Sequence, residues 1–280
     1  MKFIDKLEKS FEETKSLLQI GLDPNPNLFP HELRHKKNSI LDFCIGIVDA
    51  TAEYACSFKP QIAYFSANRA EEQLEELCSY IKNKYPNLPI VLDSKRGDIG
   101  STAENYAIEA FERYKVDALT VNPFLGFDSI IPYMEWKDKG IIVLCRTSNP
   151  SGSDLQFLQL NNGLLLYEYI AKLVSKEWNK NNQFGLVVGA TYPKELSIVR
   201  KIIGERMPIL IPGIGFQGGD IKSTVLSSIN QKGNGIIINS SRSILYASNN
   251  DNWKESASFA AKSLRDSINN IINNKFCKII

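Results

Sequence analysis

The sequence predicts an α/β fold, a (β/α)8 TIM barrel formed by one domain over residues 1–280. Three observations predict it. Eight short apolar runs recur along the chain, helically spaced amphipathic segments fill most of the gaps, and polar residues cluster where the runs end. The runs are Leu17–Leu22, Cys56–Pro60, Ile90–Lys95, Ala118–Asn122, Ile141–Cys145, Leu186–Gly189, Ile209–Gly213 and Ile236–Asn239. A continuous apolar run of this length suits a strand buried on both faces, as in a parallel sheet. Ser10–Lys15 closes a helix ahead of the first strand. Helical periodicity then follows over Ile40–Ala52, Glu71–Asn83, Ala103–Tyr114, Leu164–Trp178, Pro193–Ile203 and Trp253–Ile271. Asn-rich patches at Asn179–Asn182, Asn249–Asn252 and Asn269–Asn274 read as loops and a frayed tail. An open doubly wound sheet is the competing architecture. It usually carries a Gly-rich loop after its first strand, whereas this first strand runs into Gly21-Leu22-Asp23-Pro24.

Composition narrows the function classes. The 280 residues are 43% hydrophobic and 23% charged, which suits one large globular domain. A formal net charge of +2, spread without a basic block, gives no argument for nucleic acid or an anionic membrane. No apolar run approaches the ~20 residues of a membrane helix. The charged start Met1-Lys2-Phe3-Ile4-Asp5-Lys6 lacks a signal-peptide core, so the expected compartment is cytoplasmic. The five cysteines, Cys44, Cys56, Cys78, Cys145 and Cys277, are odd in number and form no CxxC pair, against a disulfide framework or zinc site. Cys145 ends a strand and invites a nucleophilic reading, but no histidine partner is evident. The only histidines, His31 and His35, share an early loop. Chemistry would therefore fall to Lys, Asp and Arg.

In a parallel barrel the active site sits at the C-terminal strand ends. The third end reads Val91-Leu92-Asp93-Ser94-Lys95-Arg96-Gly97-Asp98-Ile99-Gly100-Ser101-Thr102. Strand alternation places Asp93 and Lys95 on one face, and Asp98 falls where a helix begins. Strand one ends at Asp23. Strand two ends Phe58-Lys59-Pro60-Gln61, and a lysine in so apolar a context needs a carboxylate. Strand four ends Asn122-Pro123, and strand five ends Arg146-Thr147-Ser148-Asn149-Pro150. The last two ends, Pro212-Gly213-Ile214-Gly215-Phe216-Gln217-Gly218-Gly219 and Ser240-Ser241-Arg242-Ser243, have the make-up of a phosphate site. Glycines admit backbone N–H groups to an anion, and Arg242 can clamp it. Gln217, Gly218, Ser241 and Arg242 are its candidate residues. The Gly-rich, polar segment Phe216–Asn234 is the expected lid.

Together these motifs make the chain resemble the orotidine 5′-phosphate decarboxylase family over nearly its whole length. The wording around Asp93 and Ser148 is similar to the family's longer, mainly bacterial branch. Phe216 stands where a smaller residue is commoner. The resemblance implies a cofactor-free homodimeric barrel acting on orotidine 5′-phosphate in pyrimidine synthesis. It implies an alternating array of Lys59, Asp93 and Lys95, completed by Asp98 of the partner subunit, with Thr102 accompanying it across the interface. Asp23 would hold the ribose, Ser148 the pyrimidine, and Gln217 with Arg242 the phosphate. The alternative on the same barrel is a metal-dependent sugar-phosphate synthase or lyase, which a fixed cation at Lys59 opposes. A Schiff-base aldolase would need a neutral Lys95, against the pull of two neighbouring acids. A silent nucleotide-binding module would have no use for the acid–base cluster.

Overall fold

All eight apolar runs become strands. They are β1 (Leu18–Leu22), β2 (Ser57–Pro60), β3 (Val91–Arg96), β4 (Ala118–Val121), β5 (Gly140–Arg146), β6 (Phe184–Val188), β7 (Ile209–Ile211) and β8 (Ile236–Ser240). This computed structural model describes residues 1–34, 36–214 and 220–276. The strands form one sheet in the order β2-β1-β8-β7-β6-β5-β4-β3, and each adjacent pair is parallel. Parallel bridges Phe58↔Ile90 and Gln61↔Asp93 join the two end strands and close the barrel. Every residue of β1, β2, β4, β6, β7 and β8 is buried, which explains why the runs are apolar throughout instead of alternating.

Helices cover the outside between successive strands. Pro193–Ile203 illustrates the local logic. Proline sits in its first turn, Glu195 follows near the positive end, and Leu196, Val199, Arg200 and Ile203 form the buried stripe. Gly204, at φ 76°, ends it. The crossing from β4 to β5 is the exception, with only the short turns Pro123–Leu125 and Ile131–Met134.

The helix expected to close at Ser10–Lys15 spans Phe3–Thr14, and it covers the N-terminal mouth of the barrel. Phe3 packs against Gly140 at the start of β5, where a β-carbon would lie 2.2 Å from its ring. Lys6 Nζ pairs with Asp117 at 3.0 Å just before β4, and Ser10 Oγ donates to the Cys56 carbonyl just before β2. The bottom is thereby sealed, and the open face is the one bearing the polar strand ends.

Two expectations need correction. The segment expected as a lid contains the helix Ile221–Ser228. The Asp220 side chain caps it by accepting from Ser223 N at 2.7 Å, and Thr224, Val225 and Ser228 are buried. Residues 221–228 are thus a packed barrel helix. Phe216 lies outside the described residues. The Asn269–Asn274 tail is also helical, inside Trp253–Phe276. Ile268, Ile271, Ile272 and Phe276 recur on one stripe and pack into the core, which overrides the weak helix propensity of asparagine.

Candidate active site

The strand ends bring Asp23, Lys59, Asp93, Ser241 and Arg242 around one cavity of about 150 Å3, which Gly213 and Asn239 also line. Lys59, only 4% exposed, donates from Nζ to Asp93 Oδ2 at 2.8 Å. Lys95 Nζ donates to the other oxygen, Asp93 Oδ1, at 2.5 Å, while its side chain stays 45% exposed. One carboxylate therefore bridges two ammonium groups. Burial alone would raise the Asp93 pKa. The charges of Lys59 and Lys95 outweigh it and hold the carboxyl well below the usual range. Burial likewise works against the charge on Lys59, but Asp93, with Asp23 beyond it, keeps that ammonium above the ordinary lysine range. Lys59 and Asp93 stay charged because they are adjacent.

Asp93 and Lys95 do meet, but not through regular alternation. The β3–β4 register slips between Leu92 and Arg96, and Lys95 adopts a left-handed backbone at φ 48°. A strand bulge aims the lysine back at its own Asp93. Sequence reasoning missed Thr120 of β4, buried beneath this bulge and bonded to it on three sides.

Asp23 is positioned by its backbone. The Tyr246 hydroxyl donates to the Asp23 carbonyl at 2.9 Å and accepts from Asn25 N at 2.7 Å. The Tyr246 ring stacks on Phe43, itself stacked on Phe29 and Trp253. Asp23 Oδ1 and Asn239 Oδ1 are buried acceptors that no donor among the described residues satisfies, and both residues line the cavity. Asn239 was not singled out from the sequence, because its β8 segment reads only as an apolar run. Gly21 has no substitute beside it, since a β-carbon there would come within 2.0 Å of Ser241 Oγ.

Ser148 stands half-buried on the loop after β5, outside this cavity's lining. Arg146, which the sequence offered as one more loop hydrogen-bonder, is instead buried and anchors that loop. It donates to Gln156 Oε1 at 3.0 Å and Ser153 Oγ at 2.9 Å, and it stacks 3.6 Å from the Tyr192 ring centroid. Gln156 also accepts from Thr147 N and donates to Thr147 Oγ1. Cys145 is buried, and its thiol donates to the Tyr167 carbonyl. Desolvation pushes its pKa far up, which removes the thiolate a nucleophile needs.

Asp98 and Thr102 do not join the cavity of their own chain. Thr102 is exposed, and the Asp98 carboxylate accepts from Ile99 N at 2.8 Å. Gln217 and Gly218 lie outside the described residues, as do His35 and Cys277. Among the described residues, no three His, Cys, Asp or Glu side chains converge as a metal site would require.

Fold and cavity define a class: a parallel barrel whose site is built from fixed charges at strand ends. The chain belongs to the Orotidine 5'-phosphate decarboxylase / HUMPS family, whose model matches residues 16–255. It is 61% identical over 269 residues to the orotidine 5'-phosphate decarboxylase of Bordetella pertussis, covering 96% of this chain and 98% of that one. It is 57% identical to the orotidine 5'-phosphate decarboxylase of a Janthinobacterium species, over 97% of this chain and all of the relative. Among solved structures, Leishmania donovani OMP decarboxylase superposes with a TM-score of 0.84 at 35% identity, over 97% of this chain and 99% of that chain.

Proposed function

We propose that this protein decarboxylates orotidine 5′-phosphate to UMP and CO2, the last step of UMP synthesis in de novo pyrimidine biosynthesis, as a single domain. The bridged Lys59–Asp93–Lys95 array is the observation that carries the mechanism. The bond from C6 to the carboxylate breaks heterolytically, CO2 departs, and the electron pair remains at C6. No adjacent group on the pyrimidine absorbs that charge. The Lys95 ammonium stabilises the charge as it develops and then delivers a proton to C6; solvent reprotonates the amine. Asp93 fixes Lys95 by accepting from its ammonium. Lys59 neutralises Asp93 and extends the polar floor beneath the ribose.

The unsatisfied acceptors Asp23 Oδ1 and Asn239 Oδ1 match ribose hydroxyl donors. Arg242, with Ser241, Gln217 and Gly218, takes the phosphate, and Ser148 takes the pyrimidine. Binding energy from these remote contacts is available to orient the reacting ring.

The working unit is a homodimer. Asp98 precedes the helix Gly100–Ile108 that carries Thr102, this helix packs against the turn Ile131–Met134, and Ile99, Phe124, Leu125 and Ile131 of the two segments after β3 and β4 are exposed. That apolar surface suits a second copy, which would bring Asp98 to the partner's Lys95. No helix among the described residues is long and apolar enough to cross a membrane. The small net charge, spread without a basic block, and a small phosphorylated substrate support a cytoplasmic enzyme without membrane or nucleic-acid partners. The metal-dependent synthase reading has no support in the donor set described above.

Purified protein is expected to consume orotidylate, followed by its ultraviolet absorbance, at the same rate with and without EDTA. No turnover would end this reading. Turnover abolished by EDTA and restored by a divalent cation would favour the metal-dependent alternative.

A further inference from the structure

We infer that Thr120 is a positioning residue for the decarboxylation proposed above, and that its hydroxyl sets both the carboxylate of Asp93 and the backbone that presents Lys95. The argument starts from the interrupted ladder. Leu92 pairs with Leu119 and Arg96 with Val121, so four steps along β3 are matched by two along β4. The backbone N–H groups in the excess length lose their ladder acceptors, and buried donors require replacements. The Thr120 side chain supplies one for two of them. Its Oγ1 accepts from Ser94 N at 3.0 Å and from Lys95 N at 2.9 Å, and it donates to Asp93 Oδ1 at 3.0 Å. A hydroxyl has one donor and two acceptor positions, so Thr120 is fully used. The Ser94 hydroxyl adds a fourth tie by donating to the Thr120 carbonyl at 3.1 Å.

Two consequences follow for the site. Lys95 holds a left-handed backbone that a non-glycine residue adopts only under constraint, and the bond to its N–H is such a constraint. Asp93 Oδ1 receives the Lys95 ammonium and the Thr120 hydroxyl together, so its carboxylate plane is fixed from both sides. Thr120 is 1% exposed and does not line the cavity, so it acts through Asp93 and Lys95 and not on the ligand.

Valine has the shape of threonine without the hydroxyl, and serine keeps the hydroxyl without the methyl group. Misplacing Lys95 should spare binding, which rests elsewhere, and depress turnover. Thr120→Val is expected to lower kcat for orotidine 5′-phosphate about 100-fold with KM within about 3-fold, and Thr120→Ser to keep kcat within about 3-fold. Melting temperatures are recorded alongside, and Thr120→Ala replaces the valine variant if that chain does not fold. A merely structural threonine would lower melting temperature in the variants and leave kcat of the folded protein intact. Wild-type-like kcat without the hydroxyl, or a serine variant as impaired as valine, overturns the role of Thr120 while leaving the activity standing. A wild-type protein that does not decarboxylate orotidylate overturns the activity instead.

Discussion

Asp93 is the residue on which the charged cluster balances. It sits between two ammonium groups, one of them almost fully buried, and Asp93 and Lys59 each shift the other's titration. Removing its charge would leave Lys59 buried without a counter-ion, a change that costs about 3–5 kcal/mol in comparable settings. The sign of the pH dependence follows from the two shifts. The depressed Asp93 pKa gives stability that is present above the unfolded carboxyl pKa of about 4 and is lost as acid titrates the folded group. The raised Lys59 pKa gives stability that is present below about 10.4 and is lost as base titrates the folded lysine. The melting-temperature gap between wild type and Asp93→Asn is therefore expected to be widest between about pH 5 and 9 and to narrow toward both extremes. A gap independent of pH would show that charge is not what Asp93 contributes. The residues of this cluster were legible because Asp and Lys are rare at the ends of buried strands. Thr120, Asn239 and Tyr246 were not, because a threonine or asparagine in a strand and a tyrosine in a turn have many bland uses, and the partners of Thr120 and Tyr246 are distant in sequence.

At the scale of elements, apolar runs located all eight strands to within a few residues, since burial on both faces imposes one composition. Loops and terminal segments were harder to read. Polar residues at 221–234 suggested a lid, yet Thr224 and Ser228 are polar residues satisfied inside a helix, through Ala190 O and Thr224 O. The bottom of the barrel holds a similar case. Arg200, on the helix Pro193–Ile203, gives its guanidinium to four carbonyls: Ser228, Gly204, Met207 and Gly235. It ties two helix ends to the segments entering β7 and β8. Arg200→Met keeps the length of the side chain and strands those carbonyls, so a loss of about 3–5 kcal/mol in unfolding free energy is expected, with KM little changed because the site lies on the opposite face. Chemical denaturation with parallel kinetics checks both parts. A loss below about 1 kcal/mol would show that water replaces the guanidinium without penalty.

The whole molecule shows why position at a strand end decides function in this fold. One face is sealed by the helix Phe3–Thr14, and the other gathers side chains from distant parts of the chain around one cavity. Asp98 does not line that cavity and is followed by the exposed Ile99, and this separation gives the account its sharpest test. Lys95→Ala and Asp98→Ala subunits, each inactive alone, are mixed in equal amounts under conditions of verified subunit exchange. If Asp98 serves the partner's site, each mixed dimer holds one site with both defects and one with neither. Orotidylate decarboxylation is then expected to return to about one quarter of the wild-type rate. Persistent inactivity after exchange would contradict the shared site and place Asp98 with its own chain.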